Sequence, residues 1–86
     1  MITLKKLAEI KKRIVLKDNY IQVTNIKYPD ILWISINSIN KIQNYTLYDT
    51  IHCRINNIFQ IDDINADDLL FFIEHRDLLQ LGTHKN

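Results

Sequence analysis

The chain has 86 residues, 47% of them hydrophobic and 24% charged, with a net charge of +1. These values exclude a disordered chain and describe one small domain with a thin core and roughly 3–8 kcal/mol of total stability. One Cys excludes an internal disulfide, and no apolar run approaches the ~20 residues that cross a bilayer.

The opening MITLKKLAEIKKR mixes charge into its apolar positions, unlike a secretory signal. A cytoplasmic protein that engages no membrane is the expectation. Gly and Pro occur once each, while Ile, Asn and Lys abound. That bias suggests an AT-rich coding region, of the kind phages and mobile elements often have. The net charge hides a gradient: residues 1–18 carry +4 and residues 60–79 carry −5. The two ends either attract each other within one fold or each recruit an oppositely charged partner.

Thr3 can cap a helix over residues 4–14 with apolar positions Leu4, Leu7, Ala8, Ile10 and Ile14. Lys5, Lys6, Glu9, Lys12 and Arg13 fall mainly outside that stripe. Met-Ile-Thr-Leu is also compatible with an initial strand. Lys17-Asp18-Asn19 breaks the pattern, and Tyr20 to Tyr28 is rich in β-formers. Tyr28-Pro29-Asp30-Ile31 reads as a turn, since Pro presets φ at the first central position and Asp suits the second. Ile31 to Ile36 is apolar on both faces apart from Ser35, the pattern of a central strand covered on two sides.

Ile36, Ile39 and Ile42 then recur three apart, as in a helix. Asn37, Ser38 and Asn40 compete for backbone hydrogen bonds, and no room remains for a useful helix before Asn44. A single turn at 37–40 is expected instead, with Ile39 plugging the core edge and a strand restarting near Lys41. Thr46 to Ile55 reads as a strand. Leu47, Ile51, Cys53 and Ile55 share one face, Thr46, Thr50, His52 and Arg54 the other, and Asp49 marks a bulge or loop. Asn56-Asn57 suits a hairpin turn because Asn tolerates positive φ, and Ile58 to Ile61 returns as a short strand. Asp63 or Asn65 can cap the last helix, Asp67 and Asp68 favour its positive end, and Gly82 is a natural stop.

The order predicts one α+β domain over residues 1–86. It has an N-terminal helix, a small antiparallel sheet of three to four strands, and a C-terminal helix packed on one face. The expected core is Leu7, Ile10, Ile34, Ile36, Ile51, Cys53, Ile55, Phe59, Leu69, Phe72 and Ile73. In the last helix Leu69, Phe72, Ile73 and Arg76 share one side, while Phe71 and Leu78 point nearly opposite. The helix breaks near His75-Arg76-Asp77, or is sandwiched between the sheet and the first helix, or exposes Phe71 and Leu78 to another chain.

The stretches WISINSINKI, DTIHCRINNIFQI and DDLLFFI, between Ile31 and about Ile73, resemble short bacterial proteins of the flagellar FlbD type. The resemblance implies a sheet followed by a helix with an acidic start, and transfers no active site. Asn56-Asn57 stands where such proteins often carry Asn-Gly, and the N-terminal helix and first hairpin depart from their pattern.

Asp63-x-Asn65-x-Asp67, with Glu74 at the twelfth place, has the spacing of a calcium loop, but Asp68 stands where the sharp turn needs Gly. A capped acidic helix start is the better reading. His52 and Cys53 are strand neighbours, point to opposite faces and cannot share a metal. Cys53 falls on the apolar parity and reads as an inert core residue. No phosphate loop, nucleophile elbow or acid pair is present. The expectation is a protein that is not an enzyme, with no catalytic residue, cofactor or metal.

What remains is binding. Asp63, Asp67, Asp68 and Glu74, with Phe71 and Leu78 as apolar anchors, form the expected contact surface for a protein partner, a second copy included. The function expected is that of an inhibitor, adaptor or regulatory subunit. The alternative is a nucleic-acid binder using Lys5, Lys6, Lys12 and Arg13, with Tyr20, Tyr28, Trp33, Tyr45 or Tyr48 to stack bases. Helix, strands, helix is also the order of double-stranded RNA-binding domains, but DDINADD would repel phosphates where those domains present Lys.

Overall fold

The computed structural model describes residues 2–28 and 30–83, and in it the chain runs helix, six strands, helix. Helix α1 spans Ile2–Lys11, so no initial strand forms, and Thr3 lies within the helix rather than at its cap. The side chain of Thr3 and the Pro29 turn position lie outside the described residues. Past Lys11 the helix closes in turns, with Arg13 N–H donating to Ile10 O at 2.8 Å and Ile14 N–H to Lys11 O at 3.4 Å. The β-branched pair Ile14-Val15 leads into β1 (Leu16–Lys17), a strand too short to show alternation. The chain reverses at Asp18-Asn19, with Asp18 at φ 58°, and enters β2 (Tyr20–Asn25).

Strand β3 (Ile31–Ser35) ends in one 3-10 turn, Ile36–Ser38. Ser35 Oγ accepts from Asn37 N–H at 3.3 Å, and Ile39 N–H donates to Ile36 O at 3.1 Å. Ile39 packs half-buried against the core, so the three-residue spacing is the mark of a turn and not of a helix. Strand β4 (Ile42–Leu47) restarts near Lys41 as expected, but the run Thr46–Ile55 splits at Tyr48-Asp49 into the end of β4 and strand β5 (Thr50–Ile55). The reversal pairs Thr46 with Ile51 and Leu47 with Thr50, so Thr46 and Leu47 exchange the faces expected for them. Tyr48 and Asp49 have φ of 51° and 64°, the conformation whose twist suits a two-residue hairpin. Asn56 and Asn57, at φ 52° and 61°, turn the chain into β6 (Phe59–Asp62).

Helix α2 runs unbroken over Ala66–Thr83, one residue past Gly82. Its cap is Asn65, whose Oδ1 accepts from Asp68 N–H at 2.8 Å. Asp63 instead takes a left-handed conformation, φ 59°, ahead of the helix.

The sheet is antiparallel throughout and has six strands rather than three or four. β2 is the hub. It pairs with β3 along one edge, and with β1 and then β6 along the other. The remaining order is β6-β5-β4. Both helices lie on one face. There Leu7, Ile10, Ile14, Ile21, Val23, Ile34, Ile36, Cys53, Ile55, Ile61, Ile64, Leu69 and Phe72 form the core. Phe59 and Ile73 are only partly buried.

Two further expectations are overturned. Ile51, on the parity of Cys53 and Ile55, is 47% exposed. The rungs between β5 and β6 begin at His52, so the outer end of the β4–β5 hairpin runs past the core. β3 is an edge strand, paired among the described residues only with β2, and not a central one. Its apolar run is correspondingly open, with Ile31 68% and Trp33 45% exposed.

Candidate functional site

The two apolar sides of α2 follow from its having two neighbours, the sheet and α1. Leu69 and Phe72 are fully buried in the common core, while the other side of the helix meets α1. There the Lys6 ammonium sits 4.4 Å above the Phe71 ring, and His75 packs against the same ring at 4.4 Å. Phe71 is therefore half-buried inside the molecule. Leu78 remains exposed, as do Asp63, Asp67 and Glu74. Asp68 is the link to α1: its carboxylate lies 3.9 Å from Lys6 Nζ and 3.9 Å from an Arg13 nitrogen. Of the six residues of the acidic surface, two are thus used within the fold.

The basic surface is used in the same way. Besides the two bonds to Asp68, Lys12 and Arg13 lie 3.6 and 3.9 Å from the Glu9 carboxylate. Lys5 has no ion-pair partner among the described residues. A groove of about 350 Å³ between the helices is lined by Lys5, Lys6, Glu9, Ile10, Arg13 and Asp68, which mix both signs of charge. The charge gradient along the sequence thus joins its own ends.

Chemistry is sparse. Cys53 is buried, and burial pushes its thiol up to about 12, which leaves no thiolate for nucleophilic work near neutral pH. His52 projects from the opposite face and meets Asp62 Oδ1 at 2.5 Å. Among the described residues no group of three His, Cys, Asp or Glu is placed to hold a metal. The calcium-like spacing is spent on structure, since Asn65 Oδ1 is the helix cap and Ile64 between the donors is buried.

The surface that alternation did not reveal is on the far side of the sheet. Strand parity puts Tyr20, Trp33, Tyr45, His52 and Arg54 on the face that neither α1 nor α2 covers. Arg54 lies over the Tyr45 ring at 4.2 Å. At the edge of this face Ile31 and Trp33 stand open, and Tyr20, Ile26 and Tyr28 are exposed close by. The run ILWIS carried the signal. A strand apolar on both faces is one that something covers, and here no described part of the chain does so.

Comparison with protein-family models, with curated proteins and with solved structures finds no match. No described helix is long and apolar enough to cross a membrane.

Proposed function

We propose that this protein is a non-catalytic protein-binding module, an inhibitor, adaptor or regulatory subunit of the cytoplasm. The supporting observation is the open edge of β3, where Ile31, Leu32 and Trp33 are exposed on a strand without a charge. A long apolar edge left unpaired invites another strand, and folds that do not use such an edge blunt it with charge, Pro or a bulge. The acidic side of α2 takes second place, because Asp68 and Phe71 are engaged with α1. Nucleic acid is the weaker alternative: Lys6, Lys12 and Arg13 already have carboxylate partners.

Affinity capture of the tagged protein from the lysate of its native host, with and without nuclease and read by mass spectrometry, tests this. The expected catch is a stoichiometric protein, this chain included, that survives nuclease and moderate salt. Ile31→Lys should release it. A catch that vanishes with nuclease would overturn the reading and return attention to α1 and the open sheet face.

A further inference from the structure

At the two ends of the β2–β3 pair, Asn25 N–H donates to Asp30 O at 3.2 Å and Ile36 N–H donates to Asn19 O at 2.8 Å. The register between them runs from Tyr20↔Ser35 to Thr24↔Ile31. Antiparallel alternation then turns the main-chain groups of Leu32 and Ile34 toward β2. Those of Ile31, Trp33 and Ser35 turn outward, to an edge that no strand among the described residues meets. These three residues are spaced evenly about Trp33, the midpoint of the strand. A two-fold axis through Trp33 therefore matches every outward N–H with a carbonyl of an antiparallel second copy. Trp33 meets the partner's Trp33, and Ile31 meets the partner's Ser35.

We propose that β3 pairs in this way with β3 of a second copy, joining two six-stranded sheets into one. This rests on the reading of β3 as the contact surface and names its occupant. The strand has no charged residue, so no like charges face each other across the axis. Leu32, on the helix side, comes beside the partner's Ile34 and is covered there. Ile31 and Trp33 gain the same cover on the open face. The free edge of β4, at the far end of the sheet, is less suited: Asn44 Oδ1 accepts from Ala66 N–H at 2.6 Å, which keeps the start of α2 beside that strand. Joining β3 to β4 of another copy would also run on head to tail, whereas the two-fold closes with two chains. Five paired residues bury less than the roughly 800 Å² per partner of a standard interface, which sets a weak dimer, with a dissociation constant of about a micromolar or above.

Sedimentation equilibrium of the purified full chain, from micromolar to millimolar, tests the proposal, with Trp emission recorded on the same samples. The chain has one Trp, so emission reports this position alone. The expected mass rises from 10.3 kDa toward twice that value, and emission shifts to the blue along the same curve. Trp33→Lys, which sets two ammonium groups face to face, should weaken the dimer at least ~10-fold. Tyr48→Lys, at the exposed tip of the β4–β5 hairpin, should leave it unchanged. Ile31→Lys replaces the first variant if Trp33→Lys does not fold. A monomer at every concentration overturns the proposal. So does a dimer whose Trp emission stays fixed, a dimer indifferent to these edge variants, or an open-ended series of larger assemblies. A monomer leaves the protein-binding reading standing, since the lysate capture decides that. A capture lost to nuclease beside an intact dimer does the reverse.

Discussion

Ile51 and Ile55 lie on one face of β5, and alternation alone makes them equals. The structure separates them: Ile55 is 0% exposed and Ile51 is 47% exposed. Replacing each by Val removes one methylene. At Ile55 its full transfer value of about 0.8 kcal/mol is lost, and the small void brings the cost to about 1–1.5 kcal/mol. At Ile51 only about half of the transfer value was ever gained, so the cost is about 0.4 kcal/mol or less. Urea unfolding followed by circular dichroism reads the difference. With a slope of about 1 kcal/mol/M for so small a domain, Ile55→Val lowers the midpoint by about 1–1.5 M and Ile51→Val by less than about 0.4 M. Equal shifts would refute the claim that the outer end of the β4–β5 hairpin stands clear of the core.

Asn56 bonds three main-chain groups, with Oδ1 accepting from Asn40 N–H (2.8 Å) and Lys41 N–H (3.0 Å) and Nδ2 donating to Ser38 O (2.8 Å). Asn56→Ala should cost about 2–4 kcal/mol in a denaturant titration, and Asn56→Gly about 1 kcal/mol less, because Gly accepts the positive φ. Asp68→Asn loses the pairs to Lys6 and Arg13, half-exposed at 3.9 Å, and should cost about 0.5–1 kcal/mol at low salt, shrinking as salt rises. A loss that ignores salt would speak against those pairs. Cys53 holds its proton more tightly folded than unfolded. Its contribution is whole below about pH 9 and fades as pH rises toward about 12. Cys53→Ala should remove that part of the alkaline slope in stability, and an identical slope in both proteins would contradict it.

The elements with a strong period or a specific turn residue could be read from sequence. α1, the turn after Ser35, the Asn56-Asn57 reversal and the capped start of α2 all rest on local chemistry. β1 could not be read, because two residues carry no alternation. The exchange of β3 from centre to edge escaped for a different reason: Ile-Leu-Trp-Ile states that both faces want cover, and not who supplies it. Ile21, Val23 and Ile61 entered the core because β2 became the hub, a fact of pairing that no single segment contains. For the site, charge could be counted along the chain. That Lys6 and Arg13 would close on Asp68 depended on the two helices lying side by side.

The sheet is laced together at one narrow seam. Its two ribbons, β1 to β3 and β4 to β6, each fold back through local reversals. Among the described residues their main chains pair only where Thr24 faces Gln60, Asn25 faces Phe59, and Ile26 N–H reaches Ile58 O at 2.8 Å. Each ribbon can zip from its own turns at small cost in loop closure, while the seam must bring together residues far apart in sequence. It is therefore the last part of the sheet to form and the first to open. Amide exchange should find the Ile26 proton traded for deuterium well before those inside either ribbon, and equal protection along β2 would show a sheet that opens only as a whole.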